Sequence, residues 1–184
     1  MTNESGQKYN WSDWHRFDDE KALTALPNEP GVYEVRTDFG IGRLQGNSSL
    51  VTIGRAKNLK DRRDKQKVGD TTRYLNRAEK WLLQANHVLE FRYRVCRSFE
   101  EAKYAESVGQ LEYESQHWEL PPGNDRLELA PVKNRIKELF GISIEQMVID
   151  LLQGKLEISD IGDKLRTSTA IISTLVVYFG NNNP

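Results

Sequence analysis

The run LEFRYRV at residues 89–95 places Leu89, Phe91, Tyr93 and Val95 on one side and Glu90, Arg92 and Arg94 on the other. Side chains along a strand point alternately to opposite faces, so this period of two predicts a half-buried β-strand. Such a strand needs neighbours to satisfy its backbone and a layer to cover its apolar face. That requirement organises the rest of the chain.

Two more extended runs are available as neighbours. GVYEVR at 31–36 reads as a strand with Tyr33 and Val35 on one face, and LVTI at 50–53 reads as a second strand that stops at Gly54. Between them TDFGIGRLQGNSS is rich in glycine and polar residues and predicts a loop or hairpin connection, the two runs pairing as an antiparallel hairpin. Helices supply the cover. A short one is expected over Asp18 to Leu26, ended by Pro27 and Pro30. The segment Lys57 to Gln66 contains good helix formers and no breaker, and TTRYLNRAEKWLLQ spaces Tyr74, Ala78, Trp81 and Leu82 along one helical side. Ser98 and Glu101 have capping-box spacing before a long helix running to about Trp118, where PPGN ends it.

Beyond Asn124 the pattern is helical only. NDRLELAPVKN reads as a linker, Ser143 and Gln146 repeat the capping-box spacing, and ISDIGDKLRTSTAIISTLVVYF holds two short helical patterns joined at RTS. The expected class is α+β, a small antiparallel sheet flanked by helices plus a small all-α C-terminal domain. The expected division is a disordered N-terminus at 1–10, a domain at 11–127, helices at 128–180 and a tail at 181–184. IGDKLRTSTAIISTL resembles the helix-turn-helix pattern of bacterial regulators and sigma factors, with Gly162 at the small-residue position and Leu165, Ile172 and Leu175 at apolar ones. Ser168 caps its second helix and Arg166 replaces the usual turn glycine. Thr169 and Ser173 are the side chains it would offer to DNA. The apolar ISTLVVYF is a candidate homodimer surface.

Bulk properties bound the function. A hydrophobic fraction of 38% and no apolar run near the roughly 20 residues of a membrane span exclude a membrane partner. MTNESGQKYNWSDW lacks the apolar core of a signal peptide, and the single cysteine, Cys96, excludes an internal disulfide, so a cytoplasmic setting is expected. Net charge is −1, yet Val51 to Lys80 carries ten basic residues against four acidic ones. A local surplus of that size can hold phosphates on a neutral protein.

Four landmarks follow in order: GVY at 31–33, TIG at 52–54, N-L-x-x-R from Asn58 to Arg62, and a helical glutamate before P-x-x-N at 121–124. Their order resembles the GIY-YIG nuclease family, over roughly Pro30 to Asn124. The resemblance implies a GIY-YIG-like sheet and a metal-dependent DNA endonuclease using Mg²⁺ or Mn²⁺. It places Arg62 on the phosphate, where a guanidinium can form paired hydrogen bonds as charge builds. It places Tyr33 near the attacking water and Asn124 in support. Glu106 and Glu112 are both candidate metal ligands. They point about 120° apart on a helix, so one site cannot use both, and the family's E-A-x-x-x-E matches Glu101, Ala102 and Glu106. Lys57, Lys60, Arg63 and Lys65 are the expected backbone contacts. Two positions depart from the family. Thr52 replaces the tyrosine of YIG but keeps a hydroxyl, and Gln66 replaces the His or Tyr four residues after Arg62. Arg55 keeps the charge of the lysine often found after the glycine, so Thr52 and Arg55 are expected in the catalytic site with Tyr33, Arg62, Glu106 and Asn124. These departures leave open a second reading, a DNA-binding or regulatory protein that keeps the fold without turnover.

Overall fold

A computed structural model describes residues 10–62, 75–165, 167 and 169–180. The expectations for residues 1–9 and 181–184, and for Arg63, Lys65, Gln66, Tyr74, Arg166 and Ser168, fall outside the described residues. The chain is α+β, built on a four-stranded antiparallel sheet in the order β1-β4-β2-β3. β1 is His15–Arg16, β2 is Gly31–Gly42, β3 is Asn47–Ala56 and β4 is Leu89–Val95. The helices are α1 (Glu20–Thr24), α2 (Arg77–Gln84), α3 (Phe99–His117), α4 (Ala130–Phe140), α5 (Ile144–Leu152), α6 (Ile158–Leu165) and α7 (Thr169–Gly180). A further helical turn covers 59–62.

The sheet explains the alternation in LEFRYRV. Leu89 and Phe91 join Val35, Val51, Leu23, Leu26 and Leu82 in the core under α1 and α2, with Tyr33 and Tyr93 packed on it. On the opposite face Val32 and Ile53 pack with Ala102 and Tyr113 of α3. TDFGIGRLQGNSS forms the hairpin connection, with only residues 43–46 left outside the strands. β2 runs on to Gly42 and β3 begins at Asn47, with register breaks around Arg36 that absorb unpaired residues. Backbone pairing across the hairpin outweighs a composition that favours turns. Trp81 is corrected, being 62% exposed while Leu82 on the same helix is 2% exposed. α2 starts at Arg77, and Asn76 caps it with a complete capping box to Glu79, so its buried stripe is narrower than the longer expected helix implied.

α3 is buried on two sides. Tyr104, Val108 and Leu111 face away from the sheet and join Val132, Ile136, Met147, Ile161, Ile172 and Leu175 in one core. Ser98 and Ser143 cap α3 and α5 as expected, each accepting from the backbone N–H three residues on. The reciprocal halves do not form: Glu101 accepts from the Arg97 backbone and Gln146 donates to Asp150. The Tyr104 hydroxyl donates to the Leu165 carbonyl at 2.7 Å, tying α3 to the end of α6. No helix among the described residues is long and apolar enough to cross a membrane.

Burial pushes the Tyr104 pKa from 10.0 up to about 12. The stability it contributes is therefore complete below pH 10 and is lost as the pH rises toward 12. Urea midpoints measured from neutrality upward through that window should fall more steeply for the wild type than for Tyr104→Phe. Parallel slopes would contradict the assignment.

Candidate functional site

Asn58 begins the construction of the site. Its side-chain oxygen accepts from Asp61 N at 3.0 Å and its carbonyl from Arg62 N at 3.1 Å, so it caps the helical turn after β3. Leu59 anchors that turn at 2% exposure. Gly31 lets it in, because a β-carbon at Gly31 would collide with Leu59 and with the Arg94 carbonyl. Arg62 lies three residues after Leu59, on the same helical side. The spacing N-L-x-x-R is thus a cap, an anchor and a delivered guanidinium.

The guanidinium meets Tyr33. Arg62 Nε and Nη2 donate to the phenol oxygen at 3.2 and 3.0 Å, and the guanidinium carbon lies 5.7 Å from the ring centroid. Tyr33 pairs with Gly54 across the hairpin, and a β-carbon on Gly54 would strike the Tyr33 ring and hydroxyl. Only glycine allows the phenol to lie over β3. Burial raises the Tyr33 pKa above the usual phenol value; Arg62 opposes that, while the charges of Glu79 and, more weakly, Glu106 add to it. Tyr33 is therefore a neutral phenol at physiological pH. With Arg62 donating to its oxygen, its own proton is left to donate.

Thr52 sits on the same face, since it pairs with Val35 while Gly54 pairs with Tyr33. Its hydroxyl donates to Glu79 Oε1 at 2.7 Å and accepts from Asn76 Nδ2 at 2.6 Å. It is only 6% exposed, and the Glu79 carboxylate that holds it is 2% exposed. Thr52 is thus consumed by an internal network. Glu79 and Asn76 were not expected at the site, although N-x-x-E at 76–79 is a capping signature legible in the sequence.

A second cluster lies across the sheet. Arg55 projects on the α3 side, where one guanidinium nitrogen pairs with Glu106 and the other with Glu128 at 3.0 Å. Burial raises the Glu106 pKa, Arg55 opposes that and Glu128 adds to it. Glu112, the alternative ligand, is exposed. Lys57 and Lys103 lie 5.4 and 5.0 Å from the Phe99 ring centroid beside this cluster. Lys57 is exposed and Lys60 half-buried. In α7 Ser173 is exposed, and Thr169 lies at the start of the helix.

Asn124 joins the two sides at the sheet edge. Its Oδ1 accepts from Ile53 N at 3.0 Å, its Nδ2 donates to Ile53 O at 2.7 Å, and Gly123 N donates to Val51 O at 2.7 Å. The carboxamide pairs with β3 as a peptide group of a further strand would, capping an edge that would otherwise offer free hydrogen-bonding groups.

The structure therefore brings Tyr33 and Arg62 together, sets Thr52 beside them in a closed network, and holds Arg55 and Glu106 on the other face. No protein family, curated protein or solved structure matches the chain.

Replacing Gly54 with alanine should cost about 1–3 kcal/mol, as overpacking does. The cost should shrink in a Tyr33→Ala background, because the collision is with that ring. Chemical denaturation of the four proteins of this cycle measures it; equal costs in both backgrounds would exclude the packing described.

Proposed function

We propose that the chain is a GIY-YIG-type, metal-dependent endonuclease that hydrolyses phosphodiester bonds in DNA. The observation carrying this reading is the Arg62–Tyr33 pair, assembled over Gly54 from three separated sequence landmarks. With Nε and Nη2 on the phenol, Arg62 retains further N–H groups for a phosphate oxygen, and a fixed guanidinium at developing negative charge favours the transition state. Tyr33, neutral and with its proton available, orients water or phosphate rather than removing a proton.

Glu106 and Glu128 on the α3 side are hard oxygen donors of the kind Mg²⁺ takes, and a phosphodiester shared with Arg62 would have to lie across the end of β3, where the Glu106 charge reaches Tyr33. This hard ion typically takes one or two carboxylates and completes its shell with water and phosphate oxygen. Glu106 would hold it, with Glu128 beside it, and Arg55 is the cation both acids pair with in this structure. When bound, the ion would supply an acidified water and neutralise phosphate charge. Among the described residues no group of three or more His, Cys, Asp or Glu is placed to hold a metal ion, so the protein would supply only Glu106 and Glu128.

Lys57 and Lys60 extend the grip along the DNA backbone. The C-terminal helices are read as a helix-turn-helix-like unit, a reading supported by burial of Leu165, Ile172 and Leu175 and by Thr167 N donating to the Gly162 carbonyl at 2.9 Å at the end of α6. This unit aids docking through Thr169 and Ser173 or pairs two copies, and the setting is cytoplasmic.

A second reading has its own support. Thr52 is locked by Glu79 and Asn76, and Glu106 is locked by Arg55. A protein that grips a phosphodiester without cutting it fits those two locks.

Supercoiled, branched and single-stranded DNA incubated with Mg²⁺ or Mn²⁺ should be cut, and chelator should stop the cutting. Glu106→Ala should reduce the rate at least about 100-fold. Binding without cutting under every metal and substrate would select the second reading. Cutting that survives Glu106→Ala would remove Glu106 from the metal site.

A further inference from the structure

Tyr33 is not the only phenol beside Arg62. We infer that Tyr93 supplies the second phenol, from the opposite neighbouring strand, and hydrogen-bonds the phosphate oxygen held by Arg62. This inference rests on the reading of the Arg62 site as a phosphodiester site.

β2 lies between β3 and β4. Tyr33 therefore has two cross-strand partners, Gly54 on one side and Tyr93 on the other. Directly opposed residues of an antiparallel pair share a face with β-carbons about 5 Å apart. Tyr93 thus belongs to the Tyr33 face, and the two rings line one recess with Arg62, Leu26, Leu59 and Phe91. These side chains carry two hydroxyls and one guanidinium able to donate to an anion, around a mostly apolar recess with room for a single oxygen atom. Apolar walls of this kind strengthen hydrogen bonds to a charged oxygen by excluding water.

The Tyr93 ring is held in place. His15 lies alongside it with ring centroids 6.5 Å apart and planes 25° apart, and the Tyr93 backbone N–H is fixed by Ser12 Oγ at 3.0 Å. Among the described residues the hydroxyl has no hydrogen-bond partner, although the ring is half-buried.

The test separates Tyr93 from the nuclease reading. In chelator, a thymidine dinucleotide is titrated into protein carrying ¹³C-labelled tyrosine, in the wild type, Tyr93→Phe and Arg62→Ala. The Tyr93 signal should move in the wild type, and Tyr93→Phe should weaken binding about tenfold. Under single-turnover cleavage at saturating DNA, Tyr93→Phe should lose about 10²-fold in rate, the scale of one lost hydrogen-bond donor to the transition state, with an unchanged melting temperature. A Tyr93 response to the dinucleotide without any DNA cutting would uphold the phenol while removing turnover. Cleavage by Tyr93→Phe at the wild-type rate, or a Tyr93 signal that ignores the dinucleotide, would overturn the inference and leave the nuclease reading standing. A melting temperature lowered together with binding would also overturn it, by making the hydroxyl structural.

Discussion

A tyrosine ring resting on a glycine is the constraint from which the rest of this site follows. Gly54 has no side chain, so the Tyr33 phenol can lie across β3 instead of standing away from the sheet. That position is where Arg62 arrives from the turn capped by Asn58, and two guanidinium nitrogens meet the phenol oxygen there. The hairpin register that opposes Tyr33 to Gly54 also opposes it to Tyr93 through β4. A slip of one residue would send Tyr33 to the other face and dissolve the whole arrangement.

α3 supplies the second constraint. One stripe packs on Val32 and Ile53 of the sheet, and another enters the core of the C-terminal helices through Leu111. Glu106 is therefore carried on a helix wedged between two layers, which fixes its backbone on both sides. Arg55 then links β3, α3 and the segment after α3 through Glu106 and Glu128. Asn124 completes the frame by acting as a surrogate strand along the β3 edge. The sheet thus separates a guanidinium–phenol cluster from a carboxylate cluster, with the end of β3 between them.

The sequence made local features legible where one residue type dictates one geometry. Alternation located β4, serines located two helix starts, and N-L-x-x-R located a cap, an anchor and a cation. Features that depend on distant partners were not legible. The β2–β3 hairpin continues through glycine-rich sequence because pairing across it satisfies the backbone, which composition alone does not reveal. Trp81 fits a helical stripe by spacing, yet the helix begins later and narrows the stripe. Thr52 and Glu79 are 27 residues apart, so no local pattern announces that the Thr52 hydroxyl is already bonded. Glu128 and Tyr93 became part of the picture only when topology placed them beside Arg55 and Tyr33.

The central claim is that Arg62, held by Tyr33 over Gly54, grips the phosphodiester as charge builds on it. The most direct measurement is the single-turnover cleavage rate at saturating DNA for Arg62→Ala and Arg62→Lys. A guanidinium acting in the transition state predicts a loss of about 10²-fold or more for alanine, with lysine recovering only part because it lacks the planar fork. Wild-type rates in both variants would contradict the claim.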